Sequence, residues 1–314
     1  MSITALTGPV VAKSANPLGS SGTLSANQNP DAGPSLWLYA DGVLDPRYPF
    51  TYGGGAGEAK CYGFANSSGV QVINQVPSTI SAVNIAASQS PGAGAITLVS
   101  SSGAGITVST SITRPDTGAT VSSLLAIDTA MSTVTFGQSA NVNIWDPTKA
   151  ISRNVRITSV GHDSGITFTV IGYDLYGYPM SETITGANAG VASGAKAFKY
   201  ISSVTHTGSV ATTVTIGTGD VIGLPVRADF FAYTEIFYNT GWVTATTGFT
   251  AADTTTATTT TGDVRGTYAL QSASDGSKRL ILSVIPSVAN LANATSLATG
   301  LFGVTQNLAS NNGT

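Results

Sequence analysis

From Val70 onward, apolar and small polar residues alternate in short runs. VQVINQV, AVNIAAS, AITLVS, GITVSTSI and STVTFG each carry a period of two, the spacing of side chains on one face of a strand. Turn-forming stretches, SPGAG at 90–94 and RPDTG at 114–118 among them, separate the runs. A second series begins near Ile151 with NVRITSVG, GITFTVIGYD, MSETITG, AFKYISSVTHTG and TTVTIGTG. Short strands at intervals of roughly 10–12 residues predict an all-β fold of sandwich or barrel modules. In GYDLYGYPMSETI, Asp174, Gly177 and Pro179 supply a turn between two strands. SSLLAIDTAM at 122–131 suits a short helix or a buried strand equally, because periodicity does not separate the two there.

Outside these series the pattern fades. Residues 1–35 are rich in Gly, Pro, Ser and Asn without a sustained period and read as an N-terminal arm. The expected organisation is one β domain over 36–150, a second over 151–286 and a C-terminal arm over 287–314. RLILSVIP at 279–286 reads as the last strand, and TTTATTTTG at 254–262 as a solvent loop or an edge segment. Aromatic residues concentrate in two places. Trp37 and Tyr39 lie where order is expected to begin, and VRADFFAYTEIFYNTGWVTA at 226–245 is the richest stretch. A strand reading of the latter puts Ala228, Phe230, Ala232, Thr234 and Ile236 on one face. Asp229, Phe231, Tyr233, Glu235 and Phe237 fall on the other. A face both charged and aromatic suits an interface, so Trp37, Tyr39, Phe231, Tyr233, Phe237, Tyr238 and Trp242 are the interface candidates.

Composition sharpens the class. Only 9% of the 314 residues are charged, against about 25% in an average domain. Hydrophobic residues make up 42%, enough to fill a core, while the residues that favour long helices are scarce. Thirteen basic and sixteen acidic residues give a net charge of −3, and Lys and Arg are scattered singly apart from Lys278-Arg279. No cationic face is offered to phosphates, so direct nucleic-acid binding is not expected. Charge is missing from Cys61 to Thr113 and from Leu280 to Thr314, yet Ser, Asn, Gly and Pro break both stretches, so no membrane span is expected. The N-terminus shows no basic segment followed by an apolar one, and no secretory signal is expected. A surface kept polar by hydroxyls and amides suits packing against other subunits.

Motifs that carry chemistry are scarce in the sequence. No phosphate-binding glycine loop, HExxH or EF-hand pattern occurs. GHDSG at 161–165 and GVASG at 190–194 place Ser one position late for a nucleophile elbow. Cys61, the single cysteine, has no neighbouring His to activate it and reads as a small hydrophobe. His162-Asp163 lacks the further ligands of a metal site, and both His162 and His206 read as turn or strand residues. Asp229 with Glu235, or Asp41 with Asp45, are the carboxylate pairs a glycosidase would need, and spacing alone places neither at a working separation. The expectation is a non-enzymatic protein with no catalytic residues, no metal and no cofactor.

The segment ITSVGHDSGITFTVIGYDLYGYPMSETITGANAGVASGAKAFKYISSVT at 157–205 resembles a β module of tailed-bacteriophage virion proteins. The likeness lies in a Ser-Gly turn, a TFTV strand, a G-x-D-x-x-G turn and an E-T-I-x-G strand. It continues through VTIGTGDVIGLPVR (214–227), TTGDVRGTYAL (260–270) and LFGVTQ (301–306), about the C-terminal half. The resemblance implies a virion structural protein made in the bacterial host cytoplasm, with a capsid decoration or cement subunit on the capsid exterior as the first reading. It implies the major capsid protein and neighbouring virion subunits as partners, and a homo-oligomer, with a trimer as the expected state. A tail, collar or fibre-adaptor component, or a glycan-binding or glycan-degrading receptor protein, is the alternative. The arms would then reach several coat subunits and add their contacts through effective concentration.

Overall fold

A computed structural model of the chain describes residues 70–131, 133–135, 141–143, 146–227, 231–239, 241–243 and 247–286. Both arms, Trp37, Tyr39, Asp41, Asp45 and Cys61 lie outside the described residues. Within them every regular element is a strand. The first six are Val70–Gln75 (β1), Ser81–Gln89 (β2), Gly94–Ala95 (β3), Ile106–Thr113 (β4), Thr120–Ile127 (β5) and Thr133–Thr135 (β6). Next come Asn141–Asn143 (β7), Arg153–Ser159 (β8), Thr167–Tyr173 (β9), Pro179–Thr185 (β10), Val191–Phe198 (β11) and Tyr200–His206 (β12). Val214–Gly223 (β13), Phe231–Tyr238 (β14), Gly241–Val243 (β15), Phe249–Thr250 (β16), Thr267–Ala269 (β17) and Leu280–Pro286 (β18) complete the series. The fold is all-β, as composition and alternation predict.

Two six-stranded sheets carry most of the structure. One runs β10-β9-β12-β5-β4, with β3 also on β12, and the other β11-β8-β13-β17-β16, with β2 also on β13. A shorter sheet has the order β1-β18-β14-β15, and β6 pairs with β7. The described residues fall into two compact units: 70–72, 231–234 and 283–286 form the smaller, and the remainder, including both large sheets, the larger.

The two large sheets share one core, which makes the larger unit a sandwich. Ile85, Val155, Ile157, Phe198, Val214 and Ile216 from one sheet meet Ile106, Leu125, Ile127, Phe168, Val170, Ile201 and Val204 from the other. Strand β9 shows the logic. Phe168 and Val170 point into the core, while Thr167, Thr169 and Ile171 point out, as its alternating burial records. On that outer face Thr169 lies opposite Thr183 of β10 and Thr205 of β12, and Thr167 lies opposite Thr185. These are aligned rows of hydroxyls around Ile171, which is 42% exposed.

Strand β5 resolves the ambiguity at 122–131. Leu125 and Ile127 belong to the main core, whereas Leu124 and Ala126 pack on the opposite face with Ile112 and Tyr200. A strand covered on both sides reads as a continuous apolar run, which is why LLAI shows no alternation.

The two β modules read from the sequence, 36–150 and 151–286, are interleaved rather than successive. Strands β3, β4 and β5 share a sheet with β9, β10 and β12, and β2 hydrogen-bonds to β13. The boundary near residue 150 is a change of sheet partner and does not divide two cores. The threonine-rich stretch is an edge segment: the Thr259 carbonyl accepts from the Thr183 N–H of edge strand β10 at 2.8 Å, and Ala257 is buried.

Strand β13 crosses β2 so closely that Gly217 has no room for a side chain. A Cβ there would overlap the Ser81 carbonyl and the Ala82 main chain. Gly217→Ala is therefore expected to lower unfolding stability by about 1–3 kcal/mol. Gly165→Ala, whose Cβ would meet nothing within 4 Å, is expected to stay within about 0.5 kcal/mol. Urea unfolding of the two variants checks the contrast.

Candidate functional site

The aromatic candidates separate along the strand. Ile236 is fully buried, Phe237 half-buried and Tyr238 buried again, so the predicted alternation holds at this end of β14. Tyr238 thus belongs to the inward face, where its hydroxyl donates to the Ser272 carbonyl at 3.1 Å. It anchors the chain internally and is not part of the exposed face on which its neighbours were expected. Phe237 pairs with Trp242 across the β14–β15 hairpin, and Asn239 enters the turn with φ 65°. Phe231, Tyr233 and Trp242 lie on these strands, but their side chains, like that of Glu235, fall outside the description, as does Asp229 entirely.

The histidine candidates occupy separate settings. His162 is exposed and bonds through Nε2 to Ser164 Oγ at 2.8 Å. Asp163 beside it is buried, its Oδ1 accepting the Ala211 N–H at 2.7 Å. The pair holds a turn, and no cluster of metal-ligating groups occurs among the described residues. His206 stacks on Phe168 at 5.6 Å between ring centroids, and its Nδ1 donates to the Gly208 carbonyl at 2.7 Å. GVASG lies in strand β11 and its approach, so it is no nucleophile elbow.

The unforeseen feature is where the charge resides. Asp128, Arg153, Asp163, Asp174, Glu182, Lys196, Lys199, Asp263 and Arg265 are all buried. In a chain so poor in charge, this is a large internal share, and each of the nine is bonded to main-chain groups. Sequence reasoning missed them because a single charged residue in a hydroxyl-rich strand carries no signal of its partner.

Arg153 on β8 is the most heavily used. Its guanidinium donates to the Gly219 carbonyl at 2.8 Å, the Ser78 carbonyl at 2.7 Å, Asp220 Oδ1 at 2.6 Å and Ser274 Oγ at 2.5 Å. Asp128 faces it at 3.8 Å and accepts the Ser78 N–H. One side chain thereby ties β8 and β13 to the loops at 78 and 274.

Arg265 does the same for the β9–β10 turn. It donates to Asp174 Oδ2 at 2.9 Å and to the Leu224 carbonyl at 3.0 Å, and lies 5.2 Å from the Tyr176 ring centroid. The other oxygen of Asp174 accepts the N–H groups of Tyr176 and Tyr178, both at 2.9 Å. The turn chemistry read at Asp174 is therefore present, with a buried ion pair behind it.

No family model, curated protein or solved structure matches this chain.

Lys199 gives the clearest case. Its ammonium is fully enclosed and donates to the carbonyls of Ile127, Lys149 and Ile151 at 3.0, 2.7 and 2.7 Å. Three acceptors match the three hydrogens of an ammonium. Burial nevertheless pulls the group down to about 7, opposed by the field of Asp128. A buried amine of this kind becomes a nucleophile only where a substrate can reach it, and these three carbonyls occupy every direction of approach.

Glu182, Lys196 and Asp263 form the remaining cluster. Glu182 Oε1 accepts the N–H groups of Ala195 and Lys196 at 2.6 and 3.0 Å, and Asp263 Oδ2 accepts that of Ala197 at 3.2 Å. The Lys196 ammonium donates to the Thr258 carbonyl at 2.6 Å. Burial raises both carboxyl groups above their ordinary range, Glu182 to about 7.

These contacts tie strands and loops together. Removing the Lys199 ammonium would take a donor from three carbonyls at once, and a buried polar group left unmatched costs about 1–3 kcal/mol. Lys199→Met is expected to cost at least about 2 kcal/mol, read as a lower urea midpoint at unchanged m-value.

Proposed function

We propose that the protein is a structural, non-enzymatic component of a tailed-bacteriophage particle, decorating and stabilising the capsid by binding the major coat protein. The observation that carries the structural half of this reading is the use of the buried charges. All nine are bonded to main-chain groups, so these ionic side chains serve the cohesion of the described sandwich. The phage half rests on the resemblance of 157–205, 214–227, 260–270 and 301–306 to virion β modules. The hydroxyl rows on β9, β10 and β12, with Thr185, Thr205 and Ile171 exposed, add a surface suited to close packing against neighbouring subunits. No helix among the described residues is long and apolar enough to cross a membrane.

Under this reading the protein acts as a homo-oligomer, with a trimer proposed, on the outside of the capsid. Imaging of intact particles with a tag on the chain decides the location. Density spread over the whole coat lattice is the expected result, whereas a single ring at one vertex would place the protein in the tail or collar instead. A second measurement addresses the termini. Chains lacking residues 1–35, or 287–314, are expected to bind the coat lattice at least about tenfold more weakly, because linked contacts add through effective concentration. Co-sedimentation with particles stripped of the protein measures it, and unchanged affinity would remove the termini from the binding surface.

A further inference from the structure

Strand β11 turns three consecutive amides toward carboxylates. Its pairing with β8 shifts register between Ser193 and Ala197, and the amides of Ala195, Lys196 and Ala197 turn to carboxylates instead. Glu182 reaches the bulge from β10, in the opposite sheet, and Asp263 from the chain that leads into β17. A Cβ at position 194 would overlap the Glu182 carboxyl group, so any side chain added there would have to displace it. Glu182 Oε2 is buried and has no hydrogen-bond partner.

The same bulge fastens the threonine-rich segment 251–262. Lys196 donates to the Thr258 carbonyl, and Thr183, next to Glu182 on β10, donates to the Thr259 carbonyl through both its N–H and its hydroxyl. Asp253 closes the segment on itself by accepting the Gly262 N–H. The charged groups facing Glu182 are Lys196 from β11 and Asp263 from the approach to β17, and Asp253 of the segment faces Lys196.

We propose that Glu182 is a proton-operated latch: in its neutral form it keeps the β11 bulge and the 251–262 segment closed, and its ionisation loosens both. Charging the carboxyl group in the closed site places part of the charge on an oxygen without a donor, beside the carboxylate of Asp263. A buried, unmatched charge of this kind is relieved by water or by a cation. Water enters when 251–262 lifts from β10, and the same movement frees the Lys196 ammonium from Thr258 to pair with Glu182.

The direction in pH follows from linkage. Burial is the largest influence on Glu182 and raises it to about 7, while the two amides and Lys196 pull it down and Asp263 pushes it up. A carboxyl group raised on folding stabilises the closed form fully below its ordinary value, and that contribution is lost as pH rises through about 7. Lys196 is lowered by burial and works in the opposite sense. Its contribution is present above the ordinary lysine value and lost as pH falls through the lowered one. The loosening on passing neutrality therefore belongs to Glu182.

Hydrogen exchange of the full chain between about pH 5.5 and 8.5, corrected for the intrinsic rate, tests the latch. In the wild-type protein the amides of Ala195 and Lys196 and the peptide covering 251–262 are expected to lose protection about tenfold or more, with a midpoint near neutrality. Amides of β9 should stay level, and Glu182→Gln, neutral at every pH, should abolish the transition. Equal pH dependence in wild type and E182Q, or constant protection in wild type, overturns the proposal. Should E182Q not fold, the wild-type protein decides alone. The side-chain carboxyl resonance of Glu182 must titrate together with the exchange transition, and a midpoint more than about one pH unit away from it refutes the latch.

Discussion

A main-chain amide removed from water needs an acceptor, and at several points where this sandwich departs from regular pairing the acceptor is a side chain. Leaving such a group unmatched costs about 1–3 kcal/mol, so every bulge in a two-layer fold sets a requirement. Asn84 meets it where β13 shifts on β2, accepting the Thr218 N–H and donating to Thr218 Oγ1 and the Ala104 carbonyl. Asn154 accepts the Val221 N–H and donates to the Gly194 carbonyl, holding β8, β11 and β13 at one point. Glu182 and Asp263 do the equivalent for β11, and Lys199 for three carbonyls. The irregular strands and the buried polar side chains are two aspects of one solution.

This requirement reinterprets the composition. A chain with so few charged residues suggests a protein that has little use for charge. The described residues show the reverse distribution, with Arg153, Lys196, Lys199 and Arg265 enclosed and each placed where several main-chain groups converge. Buried ions are expensive unless fully bonded, and here the bonds run largely to carbonyls and amides. Such contacts discriminate one strand register from another, because a slip of one residue would present the wrong main-chain group to the side chain.

Much of the fold could be read directly from the residues, and the losses have identifiable causes. Alternation located β9, β10 and β12 because one face of each meets the core and the other meets hydroxyls or solvent. It failed at Leu124–Ile127, where both faces are covered. The division near residue 150 failed for a different reason: strand order is set by pairings between distant segments, such as β2 with β13, which leave no local trace. The turn at Asp174 was visible through its own residues, but Arg265 behind it lies too far along the chain to be connected by pattern. The inward face of Tyr238 follows from alternation once Ile236 is known to be buried. The Glu182 cluster was illegible throughout, because its parts come from three separated segments and each reads as an ordinary strand or loop residue.

The hydroxyl rows on β9, β10 and β12 bear on kinetics as well as on packing. Thr167, Thr169, Thr183, Thr185 and Thr205 carry no net charge, and Ile171 among them adds none. A neutral face projects little field beyond its own hydration layer, so an approaching molecule feels no long-range guidance toward it. Encounters there proceed at the unsteered rate, about 10⁵–10⁶ M⁻¹s⁻¹ for protein pairs, and ionic strength changes them little. An association built on these rows would form slowly and owe its persistence to shape and hydrogen bonding, which is indifferent to the salt around it.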